Sequence, residues 1–283
     1  MDFLYAELEK MGVRALALEL IRDKDGAAVA RVDTAEGPRV LKAFHGSDQA
    51  REISNYAALA ALGVPTLRVY AATESALLLE DIDGGKLRRG VEADLGDGHT
   101  ARLIARWYRE LHSRGYGYAA AHAAELYDEN SALTPEALER VKERSGTAGL
   151  PVWRLIGENW DRIRAAVDGA RRTLTYNDFY YTNLAVARDG GSALMYDYGL
   201  LGAGYAYADV RNVCSALRGG AREAFLEEYG PVDGDEARLD AVVSVLNGLC
   251  SAYSRERAPA WAAGLLTELR GGLYGRVERL AGE

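Results

Sequence analysis

The chain has 283 residues, of which 48% are apolar and 27% are charged, a composition typical of a folded protein and not of a disordered one. Its 34 basic and 42 acidic residues give a net charge of −8, opposite in sign to the basic surface of nucleic-acid-binding proteins, so we expect no nucleic-acid partner. Of the basic residues 29 are arginine, so the position of each lysine is informative: Lys10, Lys24, Lys42, Lys86 and Lys142.

The N-terminal segment from Met1 to Lys10 contains acidic residues where a signal peptide would carry a basic region. The sequence has no uncharged apolar run of about 18 residues, the length that a membrane-spanning helix needs. Cys214 and Cys250 are too few for a disulfide framework and have no CxxC spacing. We therefore expect a cytoplasmic protein with no membrane partner.

Turn sequences divide the first 82 residues into short apolar runs. Five of these runs predict strands, the first three as an antiparallel meander: 16–21, 28–32, 40–44, 66–71 and 76–82. Between the third and fourth strand, apolar residues recur at helical spacing, with Ser47 as the predicted N-cap and Gly63 as the predicted end.

Beyond Asp83-Gly84-Gly85 the apolar spacing is mainly helical. Steps of three and four residues predict several helices: 99–114, a continuous helix over 153–167, 239–253, and 266–280 with a break at Gly271-Gly272. The sequence thus predicts an α+β protein, with a small antiparallel sheet and one helix before residue 83 and a larger, mainly helical part after it.

The segment 173–199 departs from the helical pattern and is rich in Tyr, Asp and Asn. Asp178 and Asp197 each follow a short β-prone run, and pairing of these two runs would place the carboxylates side by side, with Asn183 on the loop between them. Carboxylate and amide oxygens suit Mg²⁺, which keeps water and substrate phosphates in its other positions. Phosphoryl transfer needs such a group, with one acid to take the proton of the attacking hydroxyl and ligands for the metal.

The motif Asp178-x-x-x-x-Asn183, followed by Asp197-Tyr198-Gly199, resembles the catalytic loop and the Asp-Phe-Gly element of the protein-kinase-like fold. The short spacing and the few lysines resemble its small-molecule branch, the aminoglycoside phosphotransferase and choline kinase family. Three further matches occur in the family's order, so that the resemblance spans nearly the whole chain: Val40-Leu41-Lys42-Ala43-Phe44, Leu111-His112-Ser113 and Tyr205-Ala206-Tyr207-Ala208-Asp209.

This resemblance implies a bilobal protein-kinase-like fold, with a nucleotide-binding lobe at residues 1–82 and a helical lobe at residues 83–283 that carries the catalytic and metal-binding loops. It implies a small-molecule kinase that moves the γ-phosphate of ATP or GTP to a hydroxyl group, with Mg²⁺ as cofactor. In this reading Asp178 is the catalytic base, and Asn183 and Asp197 bind the metal.

On the nucleotide side, the resemblance assigns the α and β phosphates to Lys42, with Glu52 as the ion-pair partner that orients it and Asp48 as the alternative. The nucleotide base is expected against the backbone from Glu80 to Ile82. On the acceptor side, Tyr180 and Tyr181 directly follow the catalytic Asp, and we expect one of them to line the acceptor pocket.

Two positions depart from the family's pattern. Tyr176 stands where the family usually has His, two residues before the catalytic Asp; because that His is a scaffold residue, we expect activity to survive. The turn Asp23-Lys24-Asp25-Gly26 has one glycine where protein kinases carry GxGxxG, so phosphate binding cannot be argued from glycine content.

These departures keep an alternative open, a nucleotide-binding pseudokinase with a regulatory or scaffold role. A kinase acting on protein is disfavoured because no Ala-Pro-Glu element follows Asp197. The acceptor is a small hydroxylated compound, and a cationic one is among the options: an aminoglycoside, choline or ethanolamine, an amino alcohol, or a sugar. Fold-level analogy does not choose among them, and the sequence does not predict the oligomeric state.

Overall fold

The computed structural model describes residues 1–282, apart from the side chain of Asp48. The strands are β1 (Ala17–Lys24), β2 (Ala27–Thr34), β3 (Gly37–Phe44), β4 (Val69–Ala72), β5 (Ala76–Glu80), β6 (Leu87–Arg89), β7 (Thr173–Thr175), β8 (Leu184–Ala187), β9 (Ala193–Met195) and β10 (Gly202–Gly204). The helices are α1 (Asp2–Lys10), α2 (Ser47–Leu62), α3 (Gly98–His122), α4 (Pro135–Ser145), α5 (Pro151–Glu158), α6 (Trp160–Gly169), α7 (Ala206–Ala216), α8 (Ala221–Tyr229), α9 (Gly234–Ser254), α10 (Ala262–Arg270) and α11 (Leu273–Gly282).

The chain divides into two compact units, each made of several segments. The first unit contains residues 1–115, 176–201 and 212–230; the second contains residues 116–175, 202–211 and those from 231 onward. No helix within residues 1–282 combines the length and the apolar character needed to cross a membrane.

A five-stranded antiparallel sheet of order β1-β2-β3-β5-β4 begins the first unit and confirms the predicted meander. The β1–β2 turn is Asp25-Gly26, with both residues at positive φ, the conformation that a two-residue hairpin turn needs and that Asp and Gly tolerate best. Leu4 and Leu8 of α1, a helix that the sequence pattern did not predict, pack in a core with Ala30, Val32 and Leu41 of the sheet.

Helix α2 connects β3 to β4 and contacts β3 and β5. The helix begins one residue after its N-cap Gly46, so the predicted cap Ser47 is instead its first helical residue. At the other end Gly63 has φ +71, the left-handed conformation that closes many helices, as predicted.

The strands near the Asp- and Asn-rich segment pair differently from the prediction. Strand β9 pairs with β8 in a local hairpin, in a sheet of order β6-β8-β9, whereas β7 pairs with β10. The predicted pairing of the β-prone run before Asp178 (residues 174–176) with the run before Asp197 (residues 193–196) is therefore wrong. The short β8–β9 connection closes at a small cost in chain entropy, and that favours the local partner.

The second unit is mainly helical and is built around α9, which contacts α4, α6, α10 and α11. The predicted continuous helix over 153–167 is divided at Asn159, whose Nδ2 donates to the carbonyl of Leu155 at 2.9 Å. The break leaves Trp153 and Val167 in the same apolar core, so the predicted burial holds on both sides. The α+β class, with an antiparallel sheet followed by a mainly helical chain, is confirmed.

The second unit also buries charge. The Arg211 Nε atom of α7 lies 2.9 Å from Asp240 Oδ2 of α9, and Arg211 Nη2 lies 3.9 Å from Glu129 Oε1. The Tyr205 hydroxyl donates to the other Asp240 oxygen at 3.0 Å. We call Arg211, Asp240 and Glu129 the second charge cluster.

Candidate active site

Lys42 lies near the end of the central strand β3 and is 8% exposed. Its Nζ atom lies 2.6 Å from Glu52 Oε2 and 2.8 Å from Asp197 Oδ1. Burial alone would lower the pKa of Lys42, but the two carboxylates outweigh it and raise the pKa above its ordinary value. Lys42, Glu52 and Asp197 form the first charge cluster, which holds a protonated ammonium at the base of a cavity.

Glu52 is on α2 and is 2% exposed. Burial is the largest influence on its carboxyl group and raises the pKa to about 7, although the Lys42 ammonium acts in the opposite direction. Because Glu52 has little solvent around it, its contact with Lys42 is fixed by packing of α2 on the sheet.

Asp197 begins the Asp-Tyr-Gly turn after β9 and has φ +66, a left-handed conformation that is uncommon outside glycine. Contacts from α2 hold the turn. Asn55 Nδ2 donates to the Tyr198 carbonyl at 2.7 Å, and the rings of Tyr56 and Tyr198 meet edge to face at 4.7 Å. A backbone held in a sparsely populated conformation by its surroundings is frequent at functional sites.

Asp178 and Asn183 lie on the loop between β7 and β8, and Asn183 ends a 3₁₀ turn. Asn183 Nδ2 donates to Asp178 Oδ2 at 2.9 Å. The side-chain oxygen of Asn183 is its only acceptor atom and is not used in this contact. Burial, and then the negative charge of Asp197, raise the pKa of Asp178. Asn177, the residue before it, has φ +65 and is the second left-handed Asx residue of the site.

Tyr176 joins these two loops. Its side chain is fully buried, and its hydroxyl donates to the carbonyl of Tyr196, the residue before Asp197. Burial raises the pKa of Tyr176 well above its ordinary value, so the hydroxyl keeps its proton and stays a donor. The Tyr196 amide in turn donates to the Asn183 carbonyl at 3.0 Å, which ties both candidate metal ligands to one network.

A cavity of about 300 Å³ opens beside the first charge cluster. One part of its wall is polar and includes Lys42, Asn183 and Asp197, and another part is apolar: Ile21, Val29, Val40, Leu67, Leu79 and Ile82. A flat apolar ligand group with a charged tail fits this division, because the two kinds of wall bind the two kinds of group.

The donor set of the site fits Mg²⁺. With Asp197 Oδ1 on Lys42 and Asn183 Nδ2 on Asp178, one carboxylate oxygen and one amide oxygen remain for a hard cation. Among the described side chains, which do not include that of Asp48, no group of three or more His, Cys, Asp or Glu is arranged as a metal site. Magnesium in proteins is usually held by one or two protein oxygens, with water and phosphate as its other ligands, and this donor set agrees with that coordination.

The structure brings together most of the residues that the sequence predicts for the site. The cavity is lined by Glu80 and Ile82 together with Lys42, Glu52, Asn183 and Asp197. Asp178 is not among the lining residues, but it accepts a hydrogen bond from Asn183, which is. Tyr180 is 63% exposed, Tyr181 is the first residue of the 3₁₀ turn, and neither lines this cavity. Asn55 was missed, and its signal is a polar residue three positions after Glu52, on the same face of α2.

Comparison with known proteins gives one family and many related structures. The model of the phosphotransferase enzyme family matches residues 19–242. No curated protein matches the chain.

Three solved structures illustrate the fold. The macrolide 2′-phosphotransferase of Brachybacterium faecium is 18% identical with a TM-score of 0.60, over 99% of this chain and 96% of that one. The choline kinase of Streptococcus pneumoniae is 14% identical with a TM-score of 0.60, over 100% of both chains. A spectinomycin phosphotransferase, solved with ADP and spectinomycin, is 11% identical with a TM-score of 0.58, over 99% and 97%. These likenesses confirm the predicted protein-kinase-like fold.

Proposed function

This chain belongs to the phosphotransferase enzyme family, and we propose that within it the protein transfers the γ-phosphate of ATP or GTP to a hydroxyl group of a small molecule. Membership of this family places the protein in the class of small-molecule kinases. The donor, the metal and the residue roles are the proposal, and they are supported by the chemistry of the first charge cluster and its cavity.

In this proposal the nucleotide base lies against the apolar wall of the cavity, next to Glu80 and Ile82. Lys42 contacts the α and β phosphates, and Glu52 orients the ammonium through their 2.6 Å contact. A lysine serves here as a compact positive charge that its neighbours keep protonated. The bound phosphates then lie at the polar end of the cavity, near Asn183 and Asp197.

Asn183 and Asp197 would hold Mg²⁺, which neutralises charge on the transferring phosphoryl group. Asp178 takes the proton of the acceptor hydroxyl. Its raised pKa makes the carboxylate a better proton acceptor than an exposed Asp, and the amide of Asn183 fixes one of its oxygens and leaves the other for the acceptor. Most of the rate would come from positioning and charge neutralisation.

One observation carries the proposal. A buried lysine is shared between a helix carboxylate and the carboxylate of a left-handed Asp-Tyr-Gly turn, and all three residues line one cavity with an amide that contacts a further Asp. A buried ion pair that serves only stability has no need of a cavity or of a strained backbone.

The test is phosphate transfer by the purified protein with Mg²⁺ and either ATP or GTP. The acceptor panel contains an aminoglycoside, a macrolide, choline, ethanolamine, an amino alcohol and a sugar. We expect transfer to at least one of them, and we expect Asp178→Asn to lower its rate by about 10²- to 10⁴-fold, the usual contribution of a general base. Asp189→Asn, on the exposed β8–β9 turn, is the matched control.

A nucleotide-binding pseudokinase gives a different result. It would be stabilised by nucleotide in thermal unfolding, would transfer no phosphate to any acceptor, and would leave no activity for Asp178→Asn to remove. Absence of both binding and transfer would refute the proposed donor as well.

A further inference from the structure

A second cavity, of about 360 Å³, lies between the β1–β2 turn, the start of α2 and the residues after Asp197. Its wall is rich in cationic side chains, and two of the five lysines of the chain are among them: Arg22, Lys24, Lys42 and Arg51. Asp25, Glu52 and Asp197 are its acidic members. We call this cavity the basic recess.

The basic recess adjoins the nucleotide cavity, because four residues line both: Arg22, Lys42, Glu52 and Asp197. Three of these form the first charge cluster and hold one another. Arg22 is exposed, and with the side chain of Asp48 left aside its guanidinium has no hydrogen bond or ion pair within residues 1–282. Among the described side chains, Arg22 is thus a cation without a paired anion at the junction of the two cavities.

The backbone of β1 explains why Arg22 faces this junction. Successive side chains of a regular strand point to opposite faces, yet Ile21 and Arg22 both line the nucleotide cavity. The register of β1 on β2 shifts between Leu20 and Arg22, so the strand has a bulge there. A bulge places an extra residue in one strand and redirects the side chains beside it.

The turn that follows has little capacity to bind phosphate through its backbone. Gly26 is its one glycine, and a Cβ atom on Gly26 would lie 2.8 Å from the Gln49 side chain of α2, so the turn already packs closely on that side chain. A glycine-rich loop would offer several backbone amides to the phosphates. Here a guanidinium, with five N–H donors in a planar fork, is available instead.

We propose that Arg22 binds the β and γ phosphates of the nucleotide and replaces the backbone amides of a glycine-rich loop. This inference rests on the proposed function, since it names a further residue of the same donor site. Arg22 then contacts the phosphate tail from β1, opposite the Lys42 ammonium of β3, and the tail runs from the nucleotide cavity into the basic recess.

The experiment measures binding of ATP, ADP and AMP, and of GTP, GDP and GMP, each with Mg²⁺, by calorimetry. The proteins are the wild type, Arg22→Gln, Arg22→Lys and the control Arg14→Gln, which removes an exposed guanidinium before β1 that lines neither cavity. Thermal unfolding without nucleotide shows whether each variant is folded; Arg22 is exposed, so we expect no change there.

We expect Arg22→Gln to weaken binding of the triphosphate about tenfold or more, as the loss of a charge-assisted contact predicts. Binding of the diphosphate should weaken less, and binding of the monophosphate should not change. The affinity of Arg22→Lys for the triphosphate should lie between those of Arg22→Gln and the wild type. The affinity of Arg14→Gln should match that of the wild type.

Equal affinity of wild type and Arg22→Gln for the triphosphate would overturn the inference and leave the proposed function standing. A loss of the same size for AMP and ATP would also overturn it, because it would place Arg22 away from the phosphate tail. If the wild type binds neither ATP nor GTP, the proposed function fails, and the inference fails with it.

Discussion

The two units of the molecule contain the same kind of charge cluster, a cation held between two carboxylates. The backbone elements that carry the charged residues differ. In the first unit Lys42 contacts Glu52 and Asp197; in the second unit Arg211 contacts Asp240 and Glu129. Arg211 and Asp240 project from regular helices. Asp197 projects from a left-handed turn that side chains of α2 hold in place.

The difference shows what marks a functional cluster. Burial and pairing are common to both, and burial raises the pKa of Glu52, Asp240 and Glu129 alike. What the first cluster adds is a cavity lined by all three of its members and a non-glycine residue at positive φ. Arginine also suits a supporting role better, because its planar fork binds two acids at once.

The largest expected difference is between Lys42→Met and Arg211→Met. Lys42→Met should lower kcat/KM by about 100-fold or more, since one preorganised charge at the transferring group is worth that much. Arg211→Met should leave kcat/KM nearly unchanged per folded molecule and lower stability by about 2–4 kcal/mol, because Asp240 stays buried without its partner. Steady-state kinetics and thermal unfolding of both variants measure the two effects. Similar activity losses in both would remove the distinction between the clusters.

The next pair is Asp197→Asn and Asp240→Asn. Loss of the Asp197 carboxylate should raise the Mg²⁺ concentration needed for half-maximal rate by about 10- to 100-fold, the range seen when support of a metal site is lost. Asp240→Asn should destabilise the fold by about 1–3 kcal/mol and leave the Mg²⁺ dependence as it is. A Mg²⁺ titration of each variant decides the point; an unchanged dependence in Asp197→Asn would contradict its role as a ligand.

The smallest expected difference in activity is between variants of two buried tyrosines, Tyr176 and Tyr205. Tyr176→Phe removes the hydroxyl that holds the Tyr196 carbonyl and should lower kcat about fivefold, with a stability loss of about 1 kcal/mol for the hydrogen bond. Tyr205→Phe removes the bond to Asp240 and should cost a similar amount of stability with no change in kcat. Equal kcat values for the two variants would show that Tyr176 supports the fold and nothing more.

The sequence predicted those features that depend on short stretches of chain. The three strands of the meander are bounded by Asp-Gly and Glu-Gly turns, and the kinase-like motif lies within 22 residues counted from Asp178 to Gly199, so both are visible locally. The family, the fold class and the enzyme class, a small-molecule kinase, are confirmed. The roles of Asp178, Asn183 and Lys42 stay predictions.

The features that were missed depend on partners distant in the chain. Strand β10 is Gly-Ala-Gly and has no β-prone residue, so its pairing with β7 leaves no signal in its composition. The break at Asn159 leaves the apolar spacing intact, because α5 and α6 bury their residues in the same core. The bulge before Arg22 comes from the pairing of β1 with β2, and alternation within β1 alone predicts no such shift.

Helix α2 contacts the Lys42 ammonium and the Asp-Tyr-Gly turn from one short stretch. Glu52, Asn55 and Tyr56 lie within five residues, and they contact the Lys42 ammonium, the Tyr198 carbonyl and the Tyr198 ring. Since a helix moves as a rigid rod, a shift of α2 would release the lysine and the Asp-Tyr-Gly turn together. The position of the Lys42 side chain and the conformation of the Asp-Tyr-Gly turn are therefore coupled through α2. A state with the lysine in place and the turn released is strongly disfavoured.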